Sequence, residues 1–584
     1  MIDSSPSDDP VASLTCDYLV VGAGASCLSF VDTLLALRKE VTFVIVDRFS
    51  APGGHWTKAY PYVRLHQPSC YYGVNSLPLS YVDKNGNEPW DQNERATGKE
   101  ICEYYKKVVE NFEATGRMKT YFETNYDGEA DTNSDSSKNY DNPMEKVTHK
   151  ITAKNGQVIH VECTKVVKCE SKVEVPSMRN GLPFPVDKSV VKSICLNDIA
   201  SNIGKKSSHK NYIVLGGGKS GADAINYMLE DGKVQPDQIT WVVPNPAWYF
   251  IRDKMNSSPI PGKKFWKDGI RALFAPITKA NSTEEAFLNM EKLDVVQRVH
   301  PNDGHFPKIF KGATLSQFEM DNLRKIKNII KLKGRVTSIT AEKVIFADGE
   351  YSIPFSPTNT LVIDCTSENN YGYTNFEEGI QIFNPHRIRL GPLSSFLNPC
   401  HSASQAAFLE AEYIDSQSGD EVKNSFLYFQ CGASELHKEN LIQWFMVAWY
   451  AHMSTDLEFN KCPNYRSFVL KSRIDRQQPA HHGGILGLLW AIFGPTKLLQ
   501  KAAAFREKMK NGGYKDFPTD PLPGRTGADP SKLEANMRNP PQPKESKKSF
   551  RKRIRFKKPQ STEPCDPMTQ ETALSTNAVI EVHA

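Results

Sequence analysis

Two glycine-rich stretches have the residue types and spacing that suit phosphate groups. In "VVGAGASCLSF", residues 20–30, Gly22 allows a tight turn and Gly24 lets backbone N–H groups approach a pyrophosphate. Asp47 follows the next apolar run, where an acid can accept hydrogen bonds from a ribose. Cys27 replaces the third glycine, which serves helix packing, so we expect the loop to bind a dinucleotide. The alternative is a buried β–turn–α unit without a ligand.

The second stretch, "NYIVLGGGKSGADAINYMLEDG" at 211–232, has all three glycines, Gly216, Gly218 and Gly221. Two such units in one chain are more specific than either alone. They indicate two dinucleotides, or one dinucleotide and one duplicated structural unit. The strand "ITWVV" that follows ends without an acid, and this favours a nucleotide with a 2′-phosphate, NADPH, over NADH.

The surrounding sequence supplies the elements that must position these loops. Each glycine turn lies between an apolar, β-branched run typical of a buried strand and a helix with apolar residues at helical spacing. Asn155-Gly156 and Asp348-Gly349 mark hairpins, each followed by an apolar strand, "TKVVKC" and "TLVID". The pattern predicts an α/β fold of two Rossmann-like dinucleotide-binding domains with three-stranded (βββ) hairpin crossovers, helical insertions and a disordered C-terminal tail.

The predicted domain boundaries follow this pattern. They are 14–207 for the first part of the domain that holds the first glycine loop, 208–335 for the domain of the second glycine loop with a helical insertion at 255–330, 336–470 for the second part of the first domain, 471–520 for a helical segment and 521–584 for a disordered basic tail. Residues 127–143 are polar and predict a surface insertion. The stretch 398–412 predicts a helix capped by Ser402 or Ser404.

Composition bounds the class of protein. The chain has 584 residues, of which 39% are hydrophobic, and its twelve cysteines show no CxxC spacing. With no signal peptide, this predicts reduced thiols in a cytoplasmic protein without a metal site. The apolar run 483–494 is too short to span a bilayer and predicts a buried or docking helix, with interfacial membrane contact as the alternative.

The net charge of +5 is concentrated at one end of the chain. Residues 541–560 contain nine Lys or Arg and one Glu, which leaves the rest of the chain slightly acidic. We therefore expect no specific binding of nucleic acid. The basic segment 544–558 suits weak contact with an anionic membrane, a nuclear address or a merely solubilising tail.

The chain resembles the two-dinucleotide flavoproteins, and among them the flavin-containing and Baeyer–Villiger monooxygenases. "PGGHW" at 52–56 is similar to the segment beside the flavin in that group, and "YPYVRLHQPS" at 60–69 to the stretch that approaches the flavin ring. "GGGKSGAD" and "VVPNPAWYFIR" are similar to its NADPH loop and the strand beyond. The His-containing fingerprint before the second loop is missing, and Pro244 stands where the group has an Arg for the 2′-phosphate.

The resemblance implies that the first loop binds FAD and the second NADPH, with NADH as the other possibility. The residues assigned to FAD are Gly22, Gly24, Ala25, Ser26, Asp47, Arg48, Gly54, His55, Trp56, Leu65 and Gln67. Those assigned to the nicotinamide nucleotide are Gly216, Gly218, Lys219, Ser220, Gly221 and Arg252. Thr366 ends the strand "LVIDC" at the carboxyl edge of a sheet, where ligands bind in such folds.

Arg64 and His66 are the candidate catalytic residues, because the resemblance places them at the reactive edge of the flavin. Arg64 can stabilise an anionic flavin peroxide, and His66 can exchange a proton near neutral pH. The alternatives are a surface ion pair for Arg64 and a structural role for His66. Where the group has Asn or Asp, this chain has His66.

These features together predict an FAD-dependent, NAD(P)H-using oxidoreductase, a monooxygenase that oxygenates a small organic molecule through a flavin peroxide. One alternative is a flavin-dependent reductase or dehydrogenase without oxygen transfer. The other is a non-catalytic, redox-sensing flavoprotein. The sequence leaves the substrate and the oligomeric state open.

We predict a modest preference for NADPH over NADH, because the strand 239–243 ends without an acid while Pro244 removes the expected arginine. Lys219 or Arg252 would have to contact the 2′-phosphate. The measurement is the rate of flavin reduction by each nucleotide in the wild type and in Lys219→Ala. Faster reduction by NADH that Lys219→Ala leaves unchanged would contradict the prediction.

Overall fold

The structure of the protein, a computed structural model, describes residues 12–79, 94–130, 145–169, 182–187, 192–203, 209–255, 271–331, 334–353, 357–366, 381–391, 398–415, 419–427, 440–475 and 499–516. All of them belong to one compact unit, Met1–Pro541. Most of the predicted surface insertion 127–143, the apolar run 483–494 and the tail 521–584 lie outside the described residues.

The strands in chain order are β1 Ala12–Thr15, β2 Tyr18–Val21, β3 Phe43–Val46, β4 Met118–Tyr121, β5 Thr124–Glu129, β6 Val147–Ala153, β7 Val158–Cys163, β8 Lys165–Lys168, β9 Lys192–Cys195, β10 Asn211–Leu215, β11 Ile239–Val243, β12 Ala247–Ile251, β13 Val296–Arg298, β14 Ile309–Leu315, β15 Asn328–Lys331, β16 Val336–Ile339, β17 Lys343–Phe346, β18 Gly349–Ser352, β19 Thr360–Asp364, β20 Phe383–Asn384 and β21 Arg387–Arg389.

The described α-helices are α1 Ala25–Leu37, α2 Gly98–Glu113, α3 Ile199–Asn202, α4 Lys219–Glu230, α5 Arg252–Met255, α6 Arg271–Lys279, α7 Thr283–Glu291, α8 Gln317–Lys325, α9 Pro399–Tyr413, α10 Gly419–Ser425, α11 Leu441–Phe459, α12 Tyr465–Val469 and α13 499–510. Among these described helices, none combines the length and the apolar character needed to cross a membrane.

Two sheets repeat one strand arrangement. In the first, the order is β4-β3-β2-β8-β21, with all neighbours parallel and β20 antiparallel on the outer edge. In the second, the order is β15-β11-β10-β19-β9, and all neighbours are parallel. The central strand of each sheet leads into a glycine loop. The predicted mixed α/β class is confirmed, and the assignment of two dinucleotide-binding domains stays a prediction.

Both predicted hairpins are present, and each precedes a strand of a parallel sheet. Asn155 and Gly156 lie in the turn between β6 and β7, which pair antiparallel, and β8 then enters the first sheet. Asp348 precedes Gly349, the first residue of β18, which pairs antiparallel with β17. The strand β19 then enters the second sheet. The hairpin-then-strand plan is therefore used twice.

The insertion after β12 is not purely helical, so this part of the prediction was wrong. It contains α6, α7 and α8, but β13 and β14 flank β12 in a three-stranded mixed sheet. β14 buries Phe310 and Leu315 against the insertion and the second sheet, respectively. Pairing with β12 therefore decides the strand conformation of a segment whose apolar residues alone were ambiguous.

Separate hydrophobic cores fill the described unit. The first sheet packs against α1, α2 and α9, and the second packs against α4 and α8. A third core holds the insertion together with α11 and α13. Trp56 is partly buried against both the first and the second core, so the segment around it joins the two sheets.

A buried ionic cluster ties α9 and α10 to the first sheet. The Glu410 carboxylate accepts hydrogen bonds from the Tyr18 hydroxyl at 2.8 Å and from Lys423 Nζ at 2.5 Å, and it lies 3.4 Å from Lys165 Nζ. Asp420 Oδ1 lies 2.7 Å from Lys165 Nζ and 2.6 Å from Lys423 Nζ. Two carboxylates therefore balance two buried ammonium groups.

We predict that Glu410→Gln lowers the free energy of unfolding by roughly 3–5 kcal/mol, because it leaves two buried ammonium groups with a single carboxylate. Urea denaturation followed by circular dichroism measures the change. The matched control is Lys154→Met, which removes the exposed ion pair with Glu123 and should change stability by less than about 1 kcal/mol. An equally small change in both variants would show that Glu410 does not compensate the two buried ammonium groups.

The cluster should also produce a pH dependence of stability. Burial acts to raise the pKa of Glu410, but Lys165 and Lys423 outweigh it and lower the pKa to about 2. A carboxyl whose folded pKa is depressed stabilises the fold above its unfolded pKa, and this contribution is lost as the pH falls towards 2. Glu410→Gln should therefore have a shallower loss of stability between about pH 4.3 and pH 2 than the wild type.

Candidate functional site

The first glycine loop leaves the N-terminus of α1 without a side-chain cap. Gly22 has φ 103°, a left-handed conformation that favours glycine, and a Cβ there would meet no atom within 4 Å. Gly24 is the N-cap residue, and the first turn contains no acid. The first N–H groups of α1, from Ala25 and Ser26, therefore receive no side-chain acceptor from the N-cap residue, and they lie at the positive end of the helix, which suits an anion.

Asp47 shapes this loop from the end of β3. Its Oδ2 accepts a hydrogen bond from the N–H of Ala23 at 2.6 Å, and its Oδ1 accepts one from Phe49 at 2.8 Å. Burial raises the pKa of Asp47, and these two N–H groups oppose that rise. Each oxygen keeps a second lone pair, so the carboxylate can still accept from a ribose hydroxyl. Arg48 is exposed, with its guanidinium over the Phe49 ring.

The segment 53–56 lies directly against the loop. Gly53 donates to the Ala23 carbonyl at 2.9 Å, and a Cβ on Gly54, which has φ 58°, would lie 3.1 Å from Gly24 Cα. Trp56 Nε1 donates to the Tyr72 hydroxyl at 2.8 Å. His55 is exposed at the surface, and desolvation by the surrounding protein lowers the pKa of its imidazole to about 4.

The helices α1 and α9 run parallel, with their N-termini at the same end. Ser29 Oγ donates to the Cys400 carbonyl at 2.7 Å, the Thr33 and Ser404 hydroxyls lie 2.7 Å apart, and Arg38 Nε donates to the Ala411 carbonyl at 2.8 Å. These contacts occur in the same order along both helices. Two helix N-termini therefore point to one edge of the first sheet.

The cap of α9 differs from the prediction. Asn398 is the N-cap residue, and its Oδ1 accepts from the N–H groups of Cys400 and His401. Neither Ser402 nor Ser404 caps the helix, because the chain becomes helical at Pro399, before either serine. The serine at 404 contacts α1 instead.

The second glycine loop is closed more tightly than the first. A Cβ on Gly216, which has φ 116°, would lie 2.8 Å from the Cys365 carbonyl oxygen, and one on Gly221 would collide with the Gly216 carbonyl. In the first loop the buried Cys27 occupies the third position, with its thiol 3.7 Å from the Val21 carbonyl.

The N-terminus of α4 also lacks a side-chain cap, with Gly218 exposed at the N-cap position and Ser220 half-buried. Lys219 forms an ion pair with Asp223, whose other oxygen accepts from the Tyr60 hydroxyl at 2.6 Å. Tyr60, which lies in the segment after the first glycine loop, therefore contacts the helix that follows the second glycine loop.

Thr366 stands at the carboxyl edge of the second sheet beside Gly216. Its N–H and hydroxyl donate to Asp364 Oδ1 at 2.9 and 2.6 Å. A Cβ on Gly216 would lie 3.3 Å from the Thr366 nitrogen, so this strand end and the second glycine loop are adjacent, and the ligand contact of Thr366 stays a prediction.

Three predicted residues, His66, Lys219 and Arg252, lie close enough together for the two cations to act on the imidazole. Arg252 is buried, donates from Nε to the His66 carbonyl at 3.1 Å and from Nη2 to Glu319 Oε2 at 2.9 Å. Burial, followed by the charges of Lys219 and Arg252, lowers the pKa of His66 to about 3. The imidazole is therefore neutral at physiological pH.

Arg64 lies away from this centre. It is exposed and donates to the Arg95 carbonyl at 3.0 Å. Leu65 is buried in the first core and donates its N–H to Ala96 at 3.0 Å, whereas Gln67 is half-buried. Successive side chains along 64–66 therefore have different surroundings: Arg64 is at the surface, Leu65 is in the first core and His66 is half-buried.

Sequence reasoning missed Arg95 and Glu319, whose charges also act on His66. Glu319 occupies the N3 position of a capping box whose N-cap is Ser316, and this Ser-x-x-Glu spacing predicts a helix start. Nothing in the spacing indicates that the carboxylate also meets cations.

Comparison with known proteins gives distant similarities. No family model matches the chain. Uncharacterized proteins of Mycobacterium tuberculosis and Mycobacterium bovis are 32% identical over 368 residues, 62% of this chain and 62% of theirs. The chain therefore matches about three fifths of the length of these curated relatives.

Among solved structures, a polycyclic ketone monooxygenase of Thermothelomyces thermophila is 12% identical, with a TM-score of 0.46 and coverage of 86% of this chain and 90% of that one. The closed form of cyclohexanone monooxygenase is 14% identical, with a TM-score of 0.43 and coverage of 86% and 98%. A steroid monooxygenase bound to NADP is 12% identical, with a TM-score of 0.43 and coverage of 69% and 87%.

We predict that Asp47→Ala destabilises the flavin-free protein as well as weakening retention of FAD. The buried N–H of Ala23 would lose its partner, at a cost of about 1–3 kcal/mol. Chemical denaturation of the flavin-free protein measures the first effect, and equilibrium dialysis the second. Cys27→Gly is the control in the same loop and should keep the flavin. Unchanged stability of the Asp47→Ala apoprotein would show that Asp47 does not hold the loop.

Proposed function

We propose that the protein is an FAD-dependent, NADPH-using oxidoreductase of the monooxygenase type that acts on a small organic molecule. The observation that carries the proposal is the position of His66 at the end of the segment 56–66, which packs against the cores of two units of equal strand order. Each unit presents an uncapped helix behind a glycine loop. A redox enzyme with two dinucleotides needs this arrangement, because hydride must pass between them.

The residues of the first loop fit FAD. The N–H groups of Gly24, Ala25 and Ser26 would bind the pyrophosphate, and Asp47 would accept from the ribose. Gly54, His55 and Trp56 would border the ring system, and the N-terminus of α9 would face its electron-rich edge. When bound, FAD supplies hydride acceptance and reaction with oxygen.

The residues of the second loop fit a nicotinamide nucleotide. The N–H groups behind Gly218 would bind its pyrophosphate, with Lys219 and Ser220 in the first turn. β11 ends at Val243 without an acid that would repel a 2′-phosphate. In the described residues, both Lys219 and Arg252 already have acidic partners, so a phosphate would have to exchange with a carboxylate.

His66 would act as a neutral hydrogen-bond donor. With its pKa lowered to about 3, the ring keeps one N–H and one lone pair through the physiological range. Its backbone carbonyl is fixed by Arg252, which limits the movement of the residue. We therefore expect it to orient the reacting group through one N–H, without changing charge between pH 5 and pH 9.

The proposal can be tested directly by spectroscopy and activity measurements on the purified full-length protein. The proposal expects bound FAD in the visible spectrum, reduction of the flavin by NADPH, and NADPH consumption in air that is coupled to an oxygenated product in a screen of small ketones, amines and sulfides. Consumption that ends wholly in hydrogen peroxide would support the reductase alternative. A colourless protein that takes up no FAD would support a non-catalytic role.

We predict that His66→Ala still binds FAD and is still reduced by NADPH, but releases more hydrogen peroxide per NADPH consumed. Loss of one preorganised donor commonly costs about 2.7–4 kcal/mol of transition-state stabilisation, a fall of 10²- to 10³-fold in product formation. The wild-type pH profile should show no inflection near 6.5 from His66. His160→Ala, on β7, is the matched control. Unchanged coupling in His66→Ala would assign the residue a structural role.

A further inference from the structure

Glu319 lies among three cations that come from three separate segments. Its Oε2 is 2.9 Å from Arg252 Nη2 and its Oε1 is 4.0 Å from Arg95 Nη1. Lys219 acts on it electrostatically, and with the two arginines it lowers the pKa of Glu319 to about 2 against the effect of burial. The side chains of all four residues are largely buried, with 5–20% of their surface exposed.

The charges around Glu319 do not balance within the described residues. Arg95, Lys219 and Arg252 contribute three positive charges, whereas Glu319 and the Lys219 partner Asp223 contribute two negative charges. An excess cation in a desolvated site is unfavourable, and an incoming anion would relieve it. His66 adds no charge at neutral pH. The site therefore favours a ligand with phosphate groups.

Glu319 has a second hydrogen bond that does not depend on the cations. Its Oε2 accepts from the N–H of Ser316 at 2.6 Å, as the glutamate of the capping box of α8. If a phosphate replaced the carboxylate at Arg252, Glu319 would keep this partner. Arg252 would likewise keep its Nε contact with the His66 carbonyl. The exchange would therefore leave neither group without a hydrogen bond.

We propose that Glu319 competes with the phosphates of the nicotinamide nucleotide for Arg95 and Arg252, and so sets the affinity of the second nucleotide site. The identity of the nucleotide rests on the proposed function. The anion site itself is inferred from the side chains around Glu319, namely those of Arg95, Lys219 and Arg252, whatever the nucleotide is. The Glu319 carboxylate then holds the two guanidinium groups in place before the nucleotide arrives. It also weakens nucleotide binding, because the phosphates must displace it.

The deciding variant is Glu319→Gln, which keeps the shape and the capping box and removes the charge. Isothermal titration calorimetry of the full-length, flavin-loaded protein would use two probes, NADP⁺ and inorganic pyrophosphate. We expect both to bind at least about fivefold more tightly, because removing a like charge from the site removes repulsion. Glu285→Gln, an exposed first-turn glutamate of α7, is the matched control and should change neither affinity.

Unchanged or weaker binding of both probes in a folded Glu319→Gln protein would overturn the proposal, as would an equal gain in Glu285→Gln. If Glu319→Gln fails to fold, Arg95→Gln decides, because the proposal requires weaker binding of both probes there and unchanged affinity would overturn it. Pyrophosphate could bind Glu319→Gln more tightly than the wild type while NADP⁺ binds neither protein. That result would support the anion site and contradict the assignment of a nicotinamide nucleotide to it.

Discussion

The parallel packing of α1 against α9 is the contact on which the rest of the candidate site depends. Two hydroxyl contacts, from Ser29 and Thr33, set the register between the helices, and Arg38 secures the far end through the Ala411 carbonyl. A slip of one turn, about 5.4 Å, would move the N-terminus of α9 away from the glycine loop.

The ionic cluster around Glu410 supports this packing from the side of the sheet. Glu410 lies towards the C-terminal end of α9, and its partners Tyr18 and Lys165 belong to β2 and β8, the central strands of the first sheet. Replacing a buried ion pair with apolar residues is often neutral for stability, so the cluster is better explained by specificity than by strength. We infer that it selects one position of α9 on the sheet, because any other position would leave buried charges unpaired.

Local sequence signals were sufficient to predict the turns and strands that neighbouring residues determine. The glycine loops, the two hairpins and the buried strands were predictable, because turn residues and apolar runs determine them. The pairing of Thr33 with Ser404 was not, since it joins residues 371 positions apart. The strands of the insertion were also missed, because only β12 supplies their partner. Glu319 illustrates the same limit: its capping role is local, but its contact with Arg252 depends on how distant segments pack.

The segment from Trp56 to His66 mechanically joins the two glycine loops. Trp56 contacts both cores, Tyr60 donates to Asp223 on α4, and Tyr62 stacks on Tyr227 of the same helix at 4.3 Å. Because Lys219 and Asp223 lie one turn apart on α4, any ligand that draws Lys219 away from Asp223 also changes the charge beside the Tyr60 hydroxyl. At the other end of the segment, Arg252 donates from Nε to the His66 carbonyl and from Nη2 to Glu319. Anion binding at the second loop would therefore act on both ends of one short, aromatic-rich segment that packs against both cores.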